Sequence, residues 1–357
     1  MSRARDLQPP NIGLAPDCNR LSFGESGPIR LEEEASFLGV FRVRTIALEE
    51  HMLPKDVMRD VGIDPVSVLG MVDALDDVGE GRLAVMDSAG IDIQVLSVQN
   101  SRIQQLGPER AGTISRDLND RMAAIVRAHP GRFRAFASLP MCDPLAAAEE
   151  LTRAVGELGF VGTLVAGQTN GVFLDHPSMR PVLATAERLG VPIYLHPAPP
   201  PPAVFDAYFS GLERKVAAML STSAWGWHAE TGMHVLRVVV SGTFERFPGL
   251  QLIVGHMGEN LPFSLARADE RLTPVSGLAT SVSDTIREHV WITTSAYTTE
   301  APLLCALRVI GADRMMFAVD YPFSDSAQST AFLRDAPLTT AERAKIAHEN
   351  AERLLRI

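Results

Sequence analysis

The stretch ALEEHMLP, residues 47–54, ends an apolar run with three ionisable side chains. Residues 45–48 have the composition of a buried strand, and Glu49, Glu50 and His51 follow them directly. Burying such groups is costly unless each is paired or bound to a cation. Glu49 and His51 stand two residues apart, so on a strand both project to one side and Glu50 to the other. The pattern indicates a cation site at the end of a strand.

Length and composition indicate a globular, acidic protein. The chain has 357 residues, of which 46% are apolar, and a formal net charge of −10. This charge argues against nucleic-acid binding, which requires clustered Lys and Arg. No apolar run is long enough to span a membrane, and none follows Arg3 and Arg5, so we expect neither a membrane anchor nor a signal peptide.

The cysteines indicate the redox environment. Cys18, Cys142 and Cys305 are odd in number and widely separated, so they form neither a disulfide framework nor a metal-ligand motif. We expect a reducing, cytoplasmic location.

The first 43 residues differ in composition from the rest. They contain several prolines and glycines and an acidic run at residues 32–34, with little helical or strand periodicity. We predict that residues 1–43 form a partly ordered N-terminal arm and that residues 44–357 form a single folded α/β domain.

From residue 44, short runs rich in Val, Ile and Phe alternate with amphipathic helical stretches. The predicted strands are 45–50, 92–98, 132–139, 160–166, 191–196, 250–256, 290–296 and 315–320. Eight alternating units predict an α/β fold of the (β/α)8 TIM-barrel type. The competing doubly wound sheet would carry a glycine-rich phosphate turn after its first strand, where this chain has Glu-Glu-His.

Four of the predicted strands end in residue types that bind metals. Besides the first, the fifth ends at His196, the sixth at His256 with Glu259 just beyond, and the eighth at Asp320. Catalytic groups of such barrels gather at the carboxyl ends of the strands. Each motif alone has a simpler reading, such as an exposed strand end, a turn histidine before proline or an aspartate cap. Their conjunction favours a metal site.

The remaining histidines are weaker candidates. His129 precedes Pro-Gly at a helix end, and three others, His176, His289 and His348, lie in loop or helix-surface contexts. His228 and His234 lie in the long segment after strand five, where they line either the site or an interface.

With these residues in view, the chain resembles the amidohydrolase superfamily, in particular its metal-dependent aromatic acid decarboxylases of the γ-resorcylate and 2,3-dihydroxybenzoate type. The matching segments are IALEEH (46–51), YLHP (194–197), FPGLQLIVGHMGENLPF (247–263), VDYPF (319–323) and HENAERLL (348–355). The resemblance implies the following roles: Glu49, His51, His196 and Asp320 as metal ligands, His256 and Glu259 as a polar dyad, Arg267 as a partner of Glu259 or the substrate, and Phe323 facing the aromatic ring.

Two positions depart from the pattern of that branch. Ala198 follows the strand-five His-Pro where relatives often have Arg, and prolines continue to Pro202. Asn260 follows the HMGE segment where Gly is more usual. Both departures bear on substrate identity and leave the metal ligands unchanged.

The ligand set and the resemblance together predict one divalent metal ion, Zn²⁺, Mn²⁺ or Mg²⁺, and no organic cofactor. The metal would bind the carboxylate and ortho hydroxyl of an aromatic acid. Because a free aryl carbanion is too costly, we expect Asp320 to protonate the ring carbon before CO₂ leaves, and His256, held by Glu259, to orient or deprotonate the phenol.

Two alternatives use the same barrel. The ligands would also activate water for hydrolysis of an ester, lactone or amide, with Asp320 as general base. A catalytically inactive scaffold is the third reading.

Residues 203–248 are too long and apolar for a plain barrel loop. We predict that this segment forms helices packed between subunits of a homodimer or homotetramer. The alternative is a lid over its own barrel.

Overall fold

The computed structural model describes residues 43–98 and 101–357, without the side chains of residues 66 and 67. Except for Val43, the predicted N-terminal arm lies outside the described residues.

The predicted strands are all present, and most are shorter than the apolar runs that signalled them. Their bounds are β1 Ile46–Met52, β2 Ile93–Val98, β3 Phe133–Ala135, β4 Thr163–Ala166, β5 Ile193–His196, β6 Leu252–Val254, β7 Val290–Thr293 and β8 Met315–Met316.

Helices follow the strands and cover the outside of the sheet. Their bounds are α1 Lys55–Asp60, α2 Val72–Asp76, α3 Glu80–Ala89, α4 Pro108–Ala128, α5 Pro144–Gly156, α6 Arg180–Leu189, α7 Pro202–Tyr208, α8 Arg214–Ser221, α9 Gly226–Val240, α10 Thr243–Arg246, α11 His256–Glu259, α12 Leu261–Ser276, α13 Val282–His289, α14 Glu300–Val309, α15 Ser326–Asp335, α16 Thr340–Ala344 and α17 Asn350–Leu355. Short 3₁₀ turns lie at Pro65–Val68, Ile103–Gln105, Pro177–Met179 and Ala312–Arg314, and a π-helical turn at Lys345–Glu349.

The strands close into a barrel. Strands β1 to β3 form one parallel sheet and β4 to β8 another. Parallel bridges between Leu48 and Ala318 and between Ala137 and Thr163 join the two sheets at both seams. The predicted (β/α)8 architecture is therefore confirmed, and the carboxyl ends of all eight strands share one face.

The core has two layers, as expected for a barrel wrapped in helices. An inner cluster fills the barrel and includes Leu48, Val95, Leu164, Tyr194 and Ile253. A larger outer cluster packs the other strand faces against the helices. The barrel interior is thus filled with side chains, so polar chemistry is confined to its mouth.

Strand β1 contains a bulge that sets the direction of its last side chains. Ile46 and Leu48 point into the barrel, so simple alternation would turn Glu49 and His51 outward. The pairing with β2 shifts between Ala47 and Glu50, and Glu49 has a φ of 64°. This extra residue reverses the alternation of side chains between the inside and the outside of the barrel, so Glu49 and His51 reach the barrel mouth.

The segment after β5 is helical, as predicted, and consists of α7 to α10. Several of its large apolar side chains are exposed: Val204, Tyr208, Leu212, Val216, Met219, Leu220, Trp225 and Met233. We call these eight residues the apolar face of the excursion.

Within the described part of the chain, none of the helices combines the length and hydrophobicity of a membrane-spanning segment.

Candidate active site

Glu49 is the most deeply held carboxylate at the barrel mouth. It is fully buried, and its Oε2 accepts hydrogen bonds from the Tyr194 hydroxyl on β5 and the Ser295 hydroxyl after β7. Its Oε1 is buried without a hydrogen-bond partner and lies 3.2 Å from His196 Nε2. One oxygen is therefore fixed by the barrel, which leaves the other for a ligand.

His51 is arranged in the same way. Its Nδ1 lies 3.0 Å from the Ser97 hydroxyl at the end of β2, and its Nε2 is buried without a hydrogen-bond partner. The backbone oxygen of His51 accepts from the buried guanidinium of Arg82 at 2.6 Å. A neutral imidazole with one nitrogen hydrogen-bonded and the other free is the form that binds metal ions.

His196 and Asp320 complete the group. His196 Nδ1 lies 2.7 Å from the Pro197 carbonyl, which leaves Nε2 directed at Glu49 Oε1, 3.2 Å away. Asp320 has a φ of 71°, and its Oδ1 lies 3.3 Å from His51 Nε2. Each side chain thus presents one atom to a common centre.

These four residues fit a metal ion. Their donor atoms all lie within 4.8 Å of one another, and two of them, Glu49 Oε1 and His51 Nε2, are buried polar atoms without a hydrogen bond. Buried polar atoms nearly always have a bonding partner. Two such atoms without a hydrogen bond, both directed at one centre, therefore indicate a bound cation. Two imidazoles and two carboxylates suit Zn²⁺ or Mn²⁺.

The segment that follows β6 has an uncommon backbone. Residues 256–260 have successive φ angles of 49°, 55°, 85°, 53° and 65°, all in the left-handed region. This conformation costs roughly 1–2 kcal/mol for each residue other than glycine. Asn tolerates it better than most, which explains how Asn260 takes the place of a glycine. Such strain persists where the surrounding structure enforces it, as at functional sites.

The left-handed turn brings His256 and Glu259 together as a dyad. His256 Nδ1 lies 2.7 Å from Glu259 Oε1, and His256 Nε2 lies 3.6 Å from Asp320 Oδ2. Both side chains are buried. The dyad therefore borders the four candidate ligands at Asp320 and also at Glu49, whose Oε1 lies 3.9 Å from His256 Nδ1.

Burial and neighbouring charges shift the pKa values of the site in opposite directions. Burial alone would raise the pKa of Glu49, but His256, His196 and His51 hold it far below its usual value. Burial opposes charging of His256, yet Glu259 and Glu49 raise its pKa well above the usual value. Burial lowers the pKa of His51, so this ring stays neutral. The site thus contains an ionised carboxylate and a neutral ligand imidazole side by side.

Glu50, the neighbour of Glu49, has a different role. It faces away from the mouth, where its oxygens accept from the Val319 amide at 2.9 Å and the Gln94 side chain at 3.0 Å. Burial raises its pKa to about 8. Glu50 therefore ties β1 to β2 and to the segment after β8.

Gly255 leaves the space that Glu49 occupies. A Cβ at this position would lie 2.6 Å from Glu49 Oε2 and 3.1 Å from the Tyr194 hydroxyl. We predict that Gly255→Ala weakens metal binding and lowers the free energy of unfolding by about 1–3 kcal/mol, the range for overpacking. Thermal unfolding and metal titration measure both effects. Gly112→Ala, in α4 with open space around it, is the matched control and should unfold no earlier than the wild type.

Of the two predicted substrate contacts, Phe323 lies beside the site and Arg267 lies on the surface of the chain. Phe323 packs near the site, with its ring centroid 6.0 Å from that of His51. Arg267 lies on α12 with most of its side chain exposed and forms a salt bridge of 3.0 Å with Glu270. The two oxygens of Glu259 lie against His256 and His228 in this structure, and the role of Arg267 as a substrate contact stays a prediction.

Several site residues were missed in the sequence. Ser97 and Arg82 bond to His51, and Ser295 bonds to Glu49. None of the three belongs to a sequence motif that would have indicated this role. Tyr194 had a signal, since it stands two residues before His196 on one strand and so shares its face. His228, which the sequence left open between site and interface, lies against Glu259.

Comparison with known proteins identifies the family. The amidohydrolase family model matches residues 69–357. The chain is 36% identical over 329 residues to decarboxylase orsB of Emericella nidulans, covering 87% of this chain and 97% of that protein. It is also 36% identical over 329 residues to the γ-resorcylate decarboxylase of Polaromonas sp., covering 87% of this chain and 98% of that enzyme.

A solved structure agrees with these relatives. The dihydroxybenzoic acid decarboxylase from Polaromonas sp., with bound manganese and the inhibitor 2-nitroresorcinol, superposes with a TM-score of 0.81 at 34% identity, covering 88% of this chain and 97% of that one. The chain therefore belongs to the amidohydrolase family, in its branch of metal-dependent aromatic acid decarboxylases.

Proposed function

We propose that this protein catalyses the non-oxidative decarboxylation of a benzoic acid with a hydroxyl group ortho to the carboxylate. The observation that carries the proposal is the convergence of Glu49, His51, His196 and Asp320 on one centre, with two buried donor atoms lacking partners. Relatives named as decarboxylases of dihydroxybenzoic acids over nearly the whole domain support the same chemistry.

The metal site accounts for substrate placement. A divalent cation held by the four ligands would anchor the substrate carboxylate and ortho oxygen and offset their negative charge. Phe323, beside His51, provides an apolar wall for an aromatic ring. Benzoic acids without an ortho hydroxyl lack the second oxygen and should bind more weakly.

The chain's own residues then move one proton. Burial raises the pKa of Asp320, but neighbouring His256 and His51 outweigh it and hold the pKa below its ordinary value, so Asp320 rests ionised. His256 Nε2, 3.6 Å from Asp320 Oδ2, is placed to supply a proton to it. Asp320 passes this proton to the ring carbon that bears the carboxylate. The carbon–carbon bond breaks, its electron pair restores the aromatic ring, and CO₂ leaves.

A panel of ring acids tests the substrate class. The manganese-loaded protein should release CO₂ from 2,6- and 2,3-dihydroxybenzoate and leave 3- and 4-hydroxybenzoate unchanged. Equal rates with and without the ortho hydroxyl would reject the proposed anchoring. Hydrolysis of esters or lactones without any CO₂ release would assign the same ligands to water activation.

We further propose that the apolar face of the excursion packs against a second copy of the chain, giving a homodimer or homotetramer. Its eight exposed side chains are concentrated in one segment, which is unusual for a surface left in water. Val216→Asp, in α8, should increase the monomer fraction in light scattering at micromolar protein. Leu145→Asp, at a more exposed apolar position on α5, is the control and should leave the oligomer intact. A monodisperse wild-type monomer would contradict the proposal.

We also propose a reducing, cytoplasmic location. Of the cysteines that the structure describes, Cys142 and Cys305 are free thiols, which supports this proposal.

A further inference from the structure

One face of helix α9 packs directly against the left-handed turn at residues 256–260, which contains His256 and Glu259. His228 and Gly232 stand four residues apart on this helix, so they lie on the same face. A Cβ on Gly232 would lie 2.5 Å from the Glu259 backbone oxygen. This close approach fixes the helix relative to Glu259 and sets the position from which His228 reaches it.

His228 binds the carboxylate oxygen of Glu259 that His256 does not use. His228 Nδ1 lies 2.6 Å from Glu259 Oε2, while His256 Nδ1 lies 2.7 Å from Oε1. All three side chains are at least nine-tenths buried, and the two imidazole ring centroids are 4.7 Å apart. Glu259 is thus clamped between two imidazoles, and its plane cannot turn without breaking one of the two bonds.

The far side of His228 is held as well. His228 Nε2 lies 3.2 Å from Trp227 Nε1, and this indole N–H donates to the imidazole when the imidazole is neutral. The same nitrogen lies 2.9 Å from the Ser223 carbonyl, which accepts from the imidazole when it is protonated. Both forms of the ring therefore have a partner, and Nδ1 stays directed at Glu259 in each. Tyr297 is the other titratable group facing both imidazoles, with its ring centroid 6.4 Å from each.

We propose that His228 is a positioning residue of the active site: it fixes the second oxygen of Glu259 and thereby the orientation of His256 toward Asp320. The proposal rests on the proposed decarboxylation for its kinetic consequences. Within the described part of the chain, the hydrogen bonds of His228 go to Glu259, Trp227 and Ser223 and to none of the four candidate ligands. Its effect reaches the chemistry only through Glu259 and His256.

A pair of substitutions tests this role. Asn places an amide N–H where Nδ1 stands, whereas Leu fills similar space without a donor. We expect His228→Leu to lower kcat roughly ten- to hundredfold, as for other side chains that orient a catalytic group, with KM and metal content little changed. His228→Asn should recover most of that loss. If His228→Leu does not fold, His228→Gln replaces it, because its amide is displaced from the Nδ1 position and should not restore activity.

A second readout is independent of turnover. Proton NMR of the wild type should show two low-field imidazole N–H signals, one for each bond to Glu259. His228→Leu should remove one and shift the other, and His228→Asn should leave the His256 signal near its original position. If the wild type does not decarboxylate, this readout still reports the link between His228 and His256, so the two proposals fail separately.

Three results would overturn the inference. The first is a kcat in His228→Leu within twofold of the wild type. The second is a His256 signal that does not respond to that substitution. The third is two manganese ions per chain with one lost in His228→Leu, which would make His228, His256 and Glu259 a second metal site.

Discussion

Asp320→Asn is expected to lower turnover by roughly a hundredfold or more, the scale for losing a general acid, while metal and aromatic acid still bind. Asparagine keeps the shape of the side chain and one oxygen that can face the metal. It has no carboxyl proton to transfer. In the structure Asp320 lies between His51 and His256, at 3.3 Å and 3.6 Å, so the side chain serves both the ligand group and the proton path.

Calorimetry with a nonreactive ring acid measures binding by this variant, and CO₂ release measures turnover. Asp325→Asn is the matched control, because Asp325 caps α15 through the Gln328 amide and Asn is an equally good cap. Near-normal turnover in Asp320→Asn would remove Asp320 from the role of proton donor and transfer that role to His256.

His196→Ala is expected to produce the second large effect, a loss of most of the bound metal and with it of activity. The substitution removes one imidazole from the four candidate ligands and leaves three donor side chains at the centre. The fold should remain, because His196 is the last residue of β5 and its Nδ1 bonds to the adjacent Pro197 carbonyl, so no core contact depends on the ring.

Elemental analysis after dialysis measures metal content, and circular dichroism checks the fold. His176→Ala, a histidine at an exposed turn bonded to Ser178, is the control and should retain the metal. Full metal content and activity in His196→Ala would show that the ligand assignment is wrong.

The barrel was predictable because its signals are local. Each strand is a short apolar run, and each helix carries its own periodicity, so the order of elements follows from the chain. The four candidate ligands could also be predicted, since they stand at the ends of apolar runs whose carboxyl ends must share one face.

The sequence did not show why some of these side chains point into the barrel mouth. Alternation from Ile46 and Leu48 would have turned Glu49 outward, and only the bulge in β1 corrects it. No residue type in that stretch indicates a bulge. Glu49 has a positive φ, and its carboxylate is held by Tyr194 and Ser295, which are distant in sequence.

Long-range contacts account for what the sequence left open. His228 reaches Glu259 across 31 positions through a helix outside the barrel motifs, and only its packing reveals the contact. The partners of Glu259 were hidden for a similar reason, because nothing in its local sequence indicates that His228 as well as His256 binds its carboxylate.

The central claim is that a metal-dependent site protonates the ring carbon of an ortho-hydroxybenzoic acid as CO₂ leaves. The most direct test is turnover of 2,6-dihydroxybenzoate by the manganese-loaded protein in D₂O, with CO₂ and the arene quantified together. We predict equal amounts of CO₂ and an arene carrying deuterium at the carbon that lost its carboxylate, and no reaction after the metal is removed. Consumption of the acid without CO₂, or an undiminished rate in the metal-free protein, would contradict the account.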